Sequence, residues 1–264
     1  MESKIPLFLI GLLLMMSMAF IPSEILYQDD FEGHIHEKKL QRDYQVWESG
    51  ALLEIFLEDQ LVNSGDHALG IEVISPNPVN ESRYGSVYRT LEFFQGNWSG
   101  GVGLRFWVSN PNEIALQLSF NFKERHREYW AVADQGVFYF QTDDGMIHQQ
   151  EIFYGNLTIP PNFTGFVIVP FASFAVPDWN TAKSNQVIDL NRIESYAFSV
   201  FADEKTPFIY YIDDFSVFGQ TAFYKIHVEG MANVQIPPSG ELLVTFTGEV
   251  MSVDDQLVES ASVN

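Results

Sequence analysis

Short runs of strand-forming residues recur along the chain, each bounded by residues that favour turns. The runs are rich in Val, Ile, Phe, Tyr and Trp, and clusters of Gly, Pro, Asn and Asp separate them. We predict nine strands, at 52–57, 68–74, 86–94, 102–108, 115–122, 136–141, 165–170, 195–201 and 208–218. No long segment repeats apolar residues with the period of a helix. Many short strands at even spacing predict an all-β sandwich or barrel.

Two adjacent aspartates stand in the middle of the last of these strands. Asp213 and Asp214 interrupt an apolar and aromatic run, and a buried carboxylate needs a partner. Neighbouring side chains in a regular strand point to opposite faces, so only Asp213 can share a face with Tyr211, Phe215 and Val217. Alternation therefore predicts that the two carboxylates point away from each other.

The charge and the cysteine content exclude several classes of function. Fourteen Lys and Arg stand against 35 Asp and Glu, a formal net charge of −21, which disfavours binding to nucleic acids and anionic membranes. The absence of cysteine excludes disulfides, thiolate metal sites and cysteine nucleophiles. We find no nucleophile elbow, zinc-protease helix or phosphate loop. The sequence therefore predicts no catalytic residue and no enzyme.

The N-terminus is apolar from Ile5 to Ile21, and Ser17-Met-Ala19 supplies a small-x-small cleavage pattern. This run is short for a membrane span but suits the apolar part of a signal peptide. We expect a signal peptide at 1–19, with an uncleaved N-terminal anchor as the alternative, and no other membrane contact. A secreted chain without cysteine fits a bacterial cell surface.

A set of motifs along the chain carries a family resemblance. The motifs are YQDDFEG (27–33), GDHALGIEV (65–73), YGSVY (84–88), GLRFWV (103–108), FVIVPFASF (166–174), DLNRIESYAF (189–198) and YIDDFSV (211–217). In this order and spacing they resemble family 11 carbohydrate-binding modules and, more loosely, galactose-binding-like jelly rolls. The resemblance implies a jelly-roll β-sandwich of two antiparallel sheets at 25–219, with one concave face that holds a polysaccharide without catalysis.

The same resemblance implies a structural calcium where the first and last strands meet. Asp213 falls where the family has its calcium-binding aspartate, and Asp30 and Glu32 lie in the matching N-terminal stretch. Calcium prefers carboxylate and carbonyl oxygens as ligands. The alternative is that the Asp213 carboxylate accepts backbone N–H groups without a metal.

The sugar-binding residues are also assigned through the resemblance. Trp179 lies near a position that carries a stacking tyrosine, and Tyr84, Arg83 and His126 would frame the sugar. Arg83 stands where the family has a tyrosine, and Arg83 and His126 are also explained as solvated surface residues. The expected ligand is a neutral, β-linked polysaccharide. The alternative is a structural or adhesive jelly roll that contacts protein partners and binds no sugar.

The C-terminal residues resemble a different kind of domain. The segment VQIPPSGELLVTFTGEV (234–250) resembles the opening of a bacterial immunoglobulin-like surface domain. About forty residues cannot bury a core of their own. We expect residues 222–264 to form a partial immunoglobulin-like domain or a short β-rich tail.

Overall fold

The computed structural model describes residues 24–76, 83–142, 146–202 and 207–219, with the side chains of Ser75, Pro76 and His126 left out, and the backbone of five further strands. The chain divides into two compact units, and each is described by itself. One unit comprises residues 22–144 and 148–220, and the other comprises 1–21, 145–147 and 221–264. The larger unit is an all-β jelly-roll sandwich of two antiparallel sheets, which confirms the predicted fold class.

Sheet I has eight strands within the described residues. Its strand order is β11-β10-β13-β7-β16-β5-β4, and β2 pairs with β16 at one end of that long strand. The strands are β2 (Ile25–Asp29), β4 (Ala51–Glu58), β5 (Ala68–Pro76), β7 (Gly103–Asn110), β10 (Val137–Gln141), β11 (Ile147–Glu151), β13 (Phe163–Pro170) and β16 (Phe208–Phe218). The pairing of β2 with β16 places the first and last strands of the sandwich side by side, as the motifs predicted.

Sheet II has seven strands within the same residues. Its order is β14-β9-β8-β15-β6-β3, and β12 pairs with β8. The strands are β3 (Tyr44–Glu48), β6 (Tyr84–Thr90), β8 (Leu116–Glu124), β9 (Glu128–Val132), β12 (Leu157–Ile159), β14 (Phe174–Ala175) and β15 (Ile193–Phe201). A short helix, α1 (Glu37–Asp43), precedes β3, and 3₁₀ turns lie at Arg125–Arg127, Phe171–Ser173 and Asp178–Lys183.

All nine predicted runs contain a strand, but the run predicted at 86–94 extends beyond the end of its strand. Strand β6 ends at Thr90, and residues 93–96 form a turn on which Phe93 and Phe94 are exposed. The aromatic residues at this point are therefore surface residues of a loop.

Aromatic rings from both sheets fill the core between them. Phe215 of sheet I packs on Tyr196 and Phe120 of sheet II, with ring centroids 4.4 and 5.5 Å apart. Phe198 meets Phe215 edge-on at 5.7 Å. Such stacked and edge-to-face pairs bury large apolar areas in preferred geometries. Phe120, Phe198 and Phe215 thus fill the space between the two sheets.

A β-bulge in β16 breaks the alternation on which the analysis of the two aspartates relied. Asp213 pairs with Trp107 of β7, but the next pair is Ser216 with Arg105, so β16 carries one extra residue there. Asp214 takes a left-handed backbone conformation with φ of 47°. The side chains facing the core are Phe208, Tyr210 and Ile212 before the bulge and Phe215 and Val217 after it.

The prediction that Asp213 shares a face with Phe215 and Val217 is therefore wrong. Asp213 lies on the outer face with Tyr211, and the bulge turns the following residues around. The prediction that the two aspartates point apart is also wrong, because both carboxylates contact the loop at Asn63 and Ser64.

A buried polar network ties β2 to sheet II. Asp29 forms an ion pair with Arg89 of β6 and accepts a hydrogen bond from the Tyr44 hydroxyl at 2.6 Å. The Tyr44 and Tyr196 hydroxyls lie 2.7 Å apart in the same cluster. A buried charge is tolerated only when it is paired and hydrogen-bonded. Asp29 therefore fixes the first strand of the sandwich against the opposite sheet.

The second unit contains a sheet of its own. Its strands are β1 (Met18–Pro22), β17 (Thr221–His227), β18 (Asn233–Gln235), β19 (Leu243–Ser252) and β20 (Leu257–Val263), in the order β1-β17-β19-β18 with β20 on β19. The signal peptide at 1–19 and the immunoglobulin-like likeness of 222–264 stay predictions. Among the described residues, no helix is both long enough and apolar enough to cross a membrane.

Candidate functional site

The outer face of sheet II carries a band of small, uncharged side chains. In β15, Tyr196, Phe198 and Val200 face the core, so the residues between them face outward. The same reasoning applies to β8 and β6, whose core residues include Phe120 and Val87. We call the outward-facing set the polar strip, and its residues are Ser86, Tyr88, Ser119, Asn121, Ala197 and Ser199.

Strand register places the strip across the sheet rather than along one strand. One cross-strand row contains, in order, Trp47, Ser86, Ser199 and Ser119. The next same-face row contains Gln45, Tyr88, Ala197, Asn121 and Ala131. Five strands contribute to this second row, which at the usual spacing of paired strands gives the row a width of about 19 Å. The row is long enough for several sugar rings laid across the strands.

Hydrogen bonds fix the floor of the strip. The Ser86 and Ser199 hydroxyls lie 2.7 Å apart, and the Asn121 amide donates to the Ser199 hydroxyl at 3.2 Å. Ser86 and Ser199 are buried although they face outward, and Trp47 lies beside Ser86 in the same row. The floor therefore offers preorganised hydroxyl and amide groups and no charge.

Aromatic side chains border the strip on both sides. Trp47 is 56% exposed on β3, the edge strand of the sheet. On the opposite side Trp179 is 67% exposed on the 3₁₀ turn Asp178–Lys183, and its ring lies 5.0 Å from the Tyr129 ring of β9. Exposed rings beside polar groups are what a protein needs to stack a pyranose face and bind its hydroxyls.

Buried polar side chains hold the loop that carries Trp179. Asn180 accepts a hydrogen bond from the Tyr129 amide at 2.9 Å and donates to the Arg127 carbonyl at 3.2 Å. Glu128 accepts from the Asn185 amide. Glu124 accepts from the Asp189 amide at 2.9 Å and from the Trp130 indole. These three side chains anchor residues 180–189 to the β8–β9 hairpin, so Trp179 is presented by a fixed loop.

Glu124 is the most perturbed of these anchors. It is buried where β8 meets β9, and this burial raises the pKa of Glu124 to about 7 although the Trp130 and Asp189 N–H groups favour the charged form. The nearby Glu128 and Asp189 carboxylates act in the same direction as burial. Glu124 therefore titrates near neutral pH while it holds the Trp179 loop.

The predicted sugar-binding residues lie on different parts of sheet II, with Trp179 on Tyr129 of β9 and Tyr84 at the start of β6. Tyr84 lies on the outer face at the start of β6, with its ring 5.2 Å from Phe201 and its hydroxyl 3.5 Å from the Asn156 side-chain oxygen. Arg83 precedes β6 with φ of 51°, and its carbonyl accepts from the Ala202 amide. His126 lies in the turn Arg125–Arg127, and its side chain is outside the described residues. The roles of Trp179, Tyr84, Arg83 and His126 stay predictions.

The sequence analysis did not find Trp47, Tyr88, Tyr129 or the floor residues. They lie on separate strands, and only the pairing register brings them into common rows. The sequence signal that points to this face is the alternation of apolar and polar residues in β8, where Ser119 and Asn121 stand between the buried Leu118, Phe120 and Phe122.

The predicted calcium region is arranged around backbone N–H groups. Asp213 is fully buried, and its Oδ2 accepts hydrogen bonds from the Asn63 and Ser64 amides at 2.8 and 3.2 Å. Its Oδ1 accepts from the Asp214 amide at 2.7 Å. Burial raises the pKa of Asp213 to about 6, although these N–H donors favour the charged form. Both oxygens of Asp213 are thus already occupied by donors.

Glu32 binds the other end of the same loop. Its Oε1 accepts from the Asp66 and His67 amides, each at 2.8 Å, and its Oε2 lies 3.6 Å from the His67 Nδ1. Burial acts to raise the pKa of Glu32, but these hydrogen bonds outweigh it and hold the pKa below its usual value. Asp30 accepts from the Glu32 amide at 3.2 Å, which closes a local turn.

These contacts do not fit a calcium site. Calcium needs oxygen ligands that converge on one point, whereas both oxygens of Asp213, Oε1 of Glu32 and Oδ1 of Asp30 each accept a hydrogen bond from a backbone N–H group. Within the described part of the chain, no three acidic or imidazole side chains are grouped closely enough to hold a metal ion. The arrangement is the one expected for the metal-free alternative, in which carboxylates clasp a loop. Calcium binding itself stays a prediction.

Comparison with known proteins supports the fold alone. No protein-family model and no curated protein matches the chain. Among solved structures it is similar to CtCBM11, a family 11 module described by its solution structure, dynamics and binding studies. The identity is 14%, the TM-score is 0.51, and the match covers 75% of this chain and 96% of that one. The resemblance to family 11 modules is thus confirmed at the level of the fold.

Two further solved structures are family 11 modules from Clostridium thermocellum. One belongs to the cellulosomal cellulase Lic26A-Cel5E, with 13% identity, a TM-score of 0.46, and coverage of 76% of this chain and 95% of that one. The other is in complex with a β-1,3-1,4-mixed-linked tetrasaccharide, with 13% identity, a TM-score of 0.46, and coverage of 78% and 97%.

Proposed function

We propose that the larger unit is a non-catalytic carbohydrate-binding module that binds a polysaccharide across the polar strip. The observation that carries the proposal is the strip itself, an uncharged floor of Ser and Asn side chains bordered by the exposed rings of Trp179 and Trp47. Sugar hydroxyls would bind the floor, and apolar pyranose faces would stack on the rings. The fold shared with CtCBM11 supports this reading.

The charge distribution favours a neutral main chain as the ligand. The floor has no charged group, and the net charge of −21 slows the approach of a polyanion. A β-linked chain is extended and suits a flat strip that crosses several strands. The apolar N-terminal run supports placing the module in a secreted or cell-surface protein.

The proposal is tested by substituting Trp179. Losing one stacking ring costs on the order of 1–2 kcal/mol, which is about a tenfold loss of affinity or more. We expect Trp179→Ala to keep its melting temperature and to lose retention on an insoluble β-glucan. Ile35→Ala removes a side chain of similar exposure, 63%, outside the strip, and should bind as well as the wild type.

Two outcomes would contradict the proposal in different ways. If Trp179→Ala is retained as well as the wild type, the site lies elsewhere on the molecule. If the wild type itself is retained on no glycan, the module binds no sugar and an adhesive role with protein partners takes its place.

A further inference from the structure

A small cavity continues the outer face of sheet II beyond the polar strip. Its volume is about 280 Å³, and its lining includes Thr90, Phe93, Lys123, Arg192, Glu194 and Ser195. Ser195 pairs with both Thr90 and Lys123, so these residues form the row that follows Tyr88, Ala197 and Asn121. A sugar bound at the end of the strip would therefore lie beside this cavity.

The cavity contains a cation whose charge is not balanced by a carboxylate. Lys123 forms an ion pair with Glu194 at 2.6 Å, so these two charges offset each other. Arg192 instead lies over the ring of Phe93, 5.2 Å from its centroid, and no carboxylate of the described residues is within ion-pair distance of it. Phe93 is 76% exposed.

The backbone joins Arg192 to the end of β8. The Arg125 amide donates to the Arg192 carbonyl at 3.0 Å, and the neighbouring Ile193 pairs with Glu124. The acidic residues of this region have other partners, since Lys123 offsets Glu194 and Glu124 accepts hydrogen bonds from Trp130 and Asp189. Arg192 is therefore the group of the cavity lining that could bind an oxyanion.

We propose that this cavity is a subsite for an oxyanion substituent on an otherwise neutral polysaccharide. The substituent is the carboxylate of a uronic acid or a sulfate ester. Arg192 would bind it through two parallel N–H groups, the geometry in which guanidinium recognises planar oxyanions. The exposed ring of Phe93 would stack on the sugar that carries the group. The subsite rests on the proposed function, since the neutral strip holds the main chain beside it.

The test compares matched ligands on the full chain by calorimetry. One pair is a glucuronic-acid-substituted xylan and its carboxyl-reduced form, and the other is a sulfated β-glucan and its desulfated parent. We expect the wild type to bind one acidic member about tenfold more tightly than its neutral partner, since hydrogen bonds to a charged group are the strong ones. Added salt should shrink this preference. The pair that shows it identifies the oxyanion.

Three variants separate a specific subsite from general attraction. Arg192→Gln should remove the preference and leave the affinity for the neutral member unchanged, and Phe93→Ala should weaken it in part. Arg125→Gln removes the same charge outside the cavity lining and should keep the preference. Melting temperatures of all variants check that they fold.

Three results would overturn the subsite. If the wild type binds the neutral members as tightly as the acidic ones, the subsite fails and the proposed function stands. If both arginine variants lose the preference equally, the effect is long-range attraction and not recognition. If no member of either pair binds, the subsite and the proposed function fail together.

Discussion

The two adjacent aspartates of β16 reach the same loop because Asp214 takes a left-handed backbone conformation, with φ of 47°. Asp214 accepts hydrogen bonds from the side chains of Asn63 and Ser64, and Asp213 accepts from their amides. Asx residues tolerate this conformation better than most. Because of the bulge, the two neighbouring carboxylates both bind the loop 63–67, and we call this arrangement the clasp.

This clasp predicts unequal effects for the two aspartates. Asp213→Asn leaves buried N–H groups facing an amide, which costs about 2 kcal/mol and several degrees of melting temperature. Asp214→Asn, whose partners are exposed, should cost much less. If N–H groups alone hold the Asp213 carboxylate, a chelator leaves the wild-type melting temperature unchanged, whereas the predicted calcium gives a drop. A chelator-dependent drop that Asp213→Asn abolishes would establish the calcium site instead.

The sequence showed that Asp213 needed a partner but not what the partner was. Its carboxylate is matched by amides 149 and 150 positions away, and no local pattern contains that pairing. The bulge is equally invisible, because an extra residue in one strand is defined only against its neighbour β7. Strict alternation therefore gave the wrong face for the residues beyond Asp213.

At the scale of elements, the strands follow from the sequence and the site follows from their register. Turn clusters and β-branched or aromatic runs located every long strand of the sandwich, whereas short strands such as β12 and β14 have too few residues to show a pattern. The polar strip depends on which residues of β3, β6, β15 and β8 lie opposite one another. Pairing partners and register depend on the tertiary fold, so the sequence of a single strand does not determine them.

The loop anchored by Asn180 gives a prediction at this scale. Asn180 contacts no ligand in the proposed site, but it ties the turn that carries Trp179 to β9. We expect Asn180→Ala to lower glycan affinity several-fold and to speed amide hydrogen exchange at 178–189. Thr181→Ala, which removes an exposed hydrogen bond from the same turn, should change neither. Faster exchange with unchanged affinity would show that binding does not need a fixed loop.

At the scale of the whole molecule, the charged groups are unevenly distributed over the surface. The surface carries a net charge of −21, yet the floor of the polar strip has no charge and the adjoining cavity contains Arg192. Buried carboxylates occur where they bind loop amides, as Asp213 and Glu124 do. Composition predicted a neutral ligand for the molecule as a whole, but only the folded arrangement shows that Arg192 lies beside the uncharged strip.

Two buried carboxylates contribute to the pH dependence of folding. Burial raises the pKa of Glu124 to about 7 and that of Asp213 to about 6, so each binds its proton more tightly in the folded chain than in the unfolded chain. Such a group contributes stability that is fully present below its unfolded pKa and is lost as the pH rises through its folded pKa. Burial lowers the pKa of His34, which acts in the opposite direction, so a comparison with a variant isolates the effect of Glu124.

We expect the melting temperature of the wild type to fall relative to that of Glu124→Gln as the pH is raised from about 4.5 to 7. Glu113→Gln, which removes an exposed carboxylate, should keep the wild-type profile. A difference between the wild type and Glu124→Gln that does not change over this range would show that Glu124 stays charged in the folded state and that its hydrogen bonds from Trp130 and Asp189 outweigh its burial.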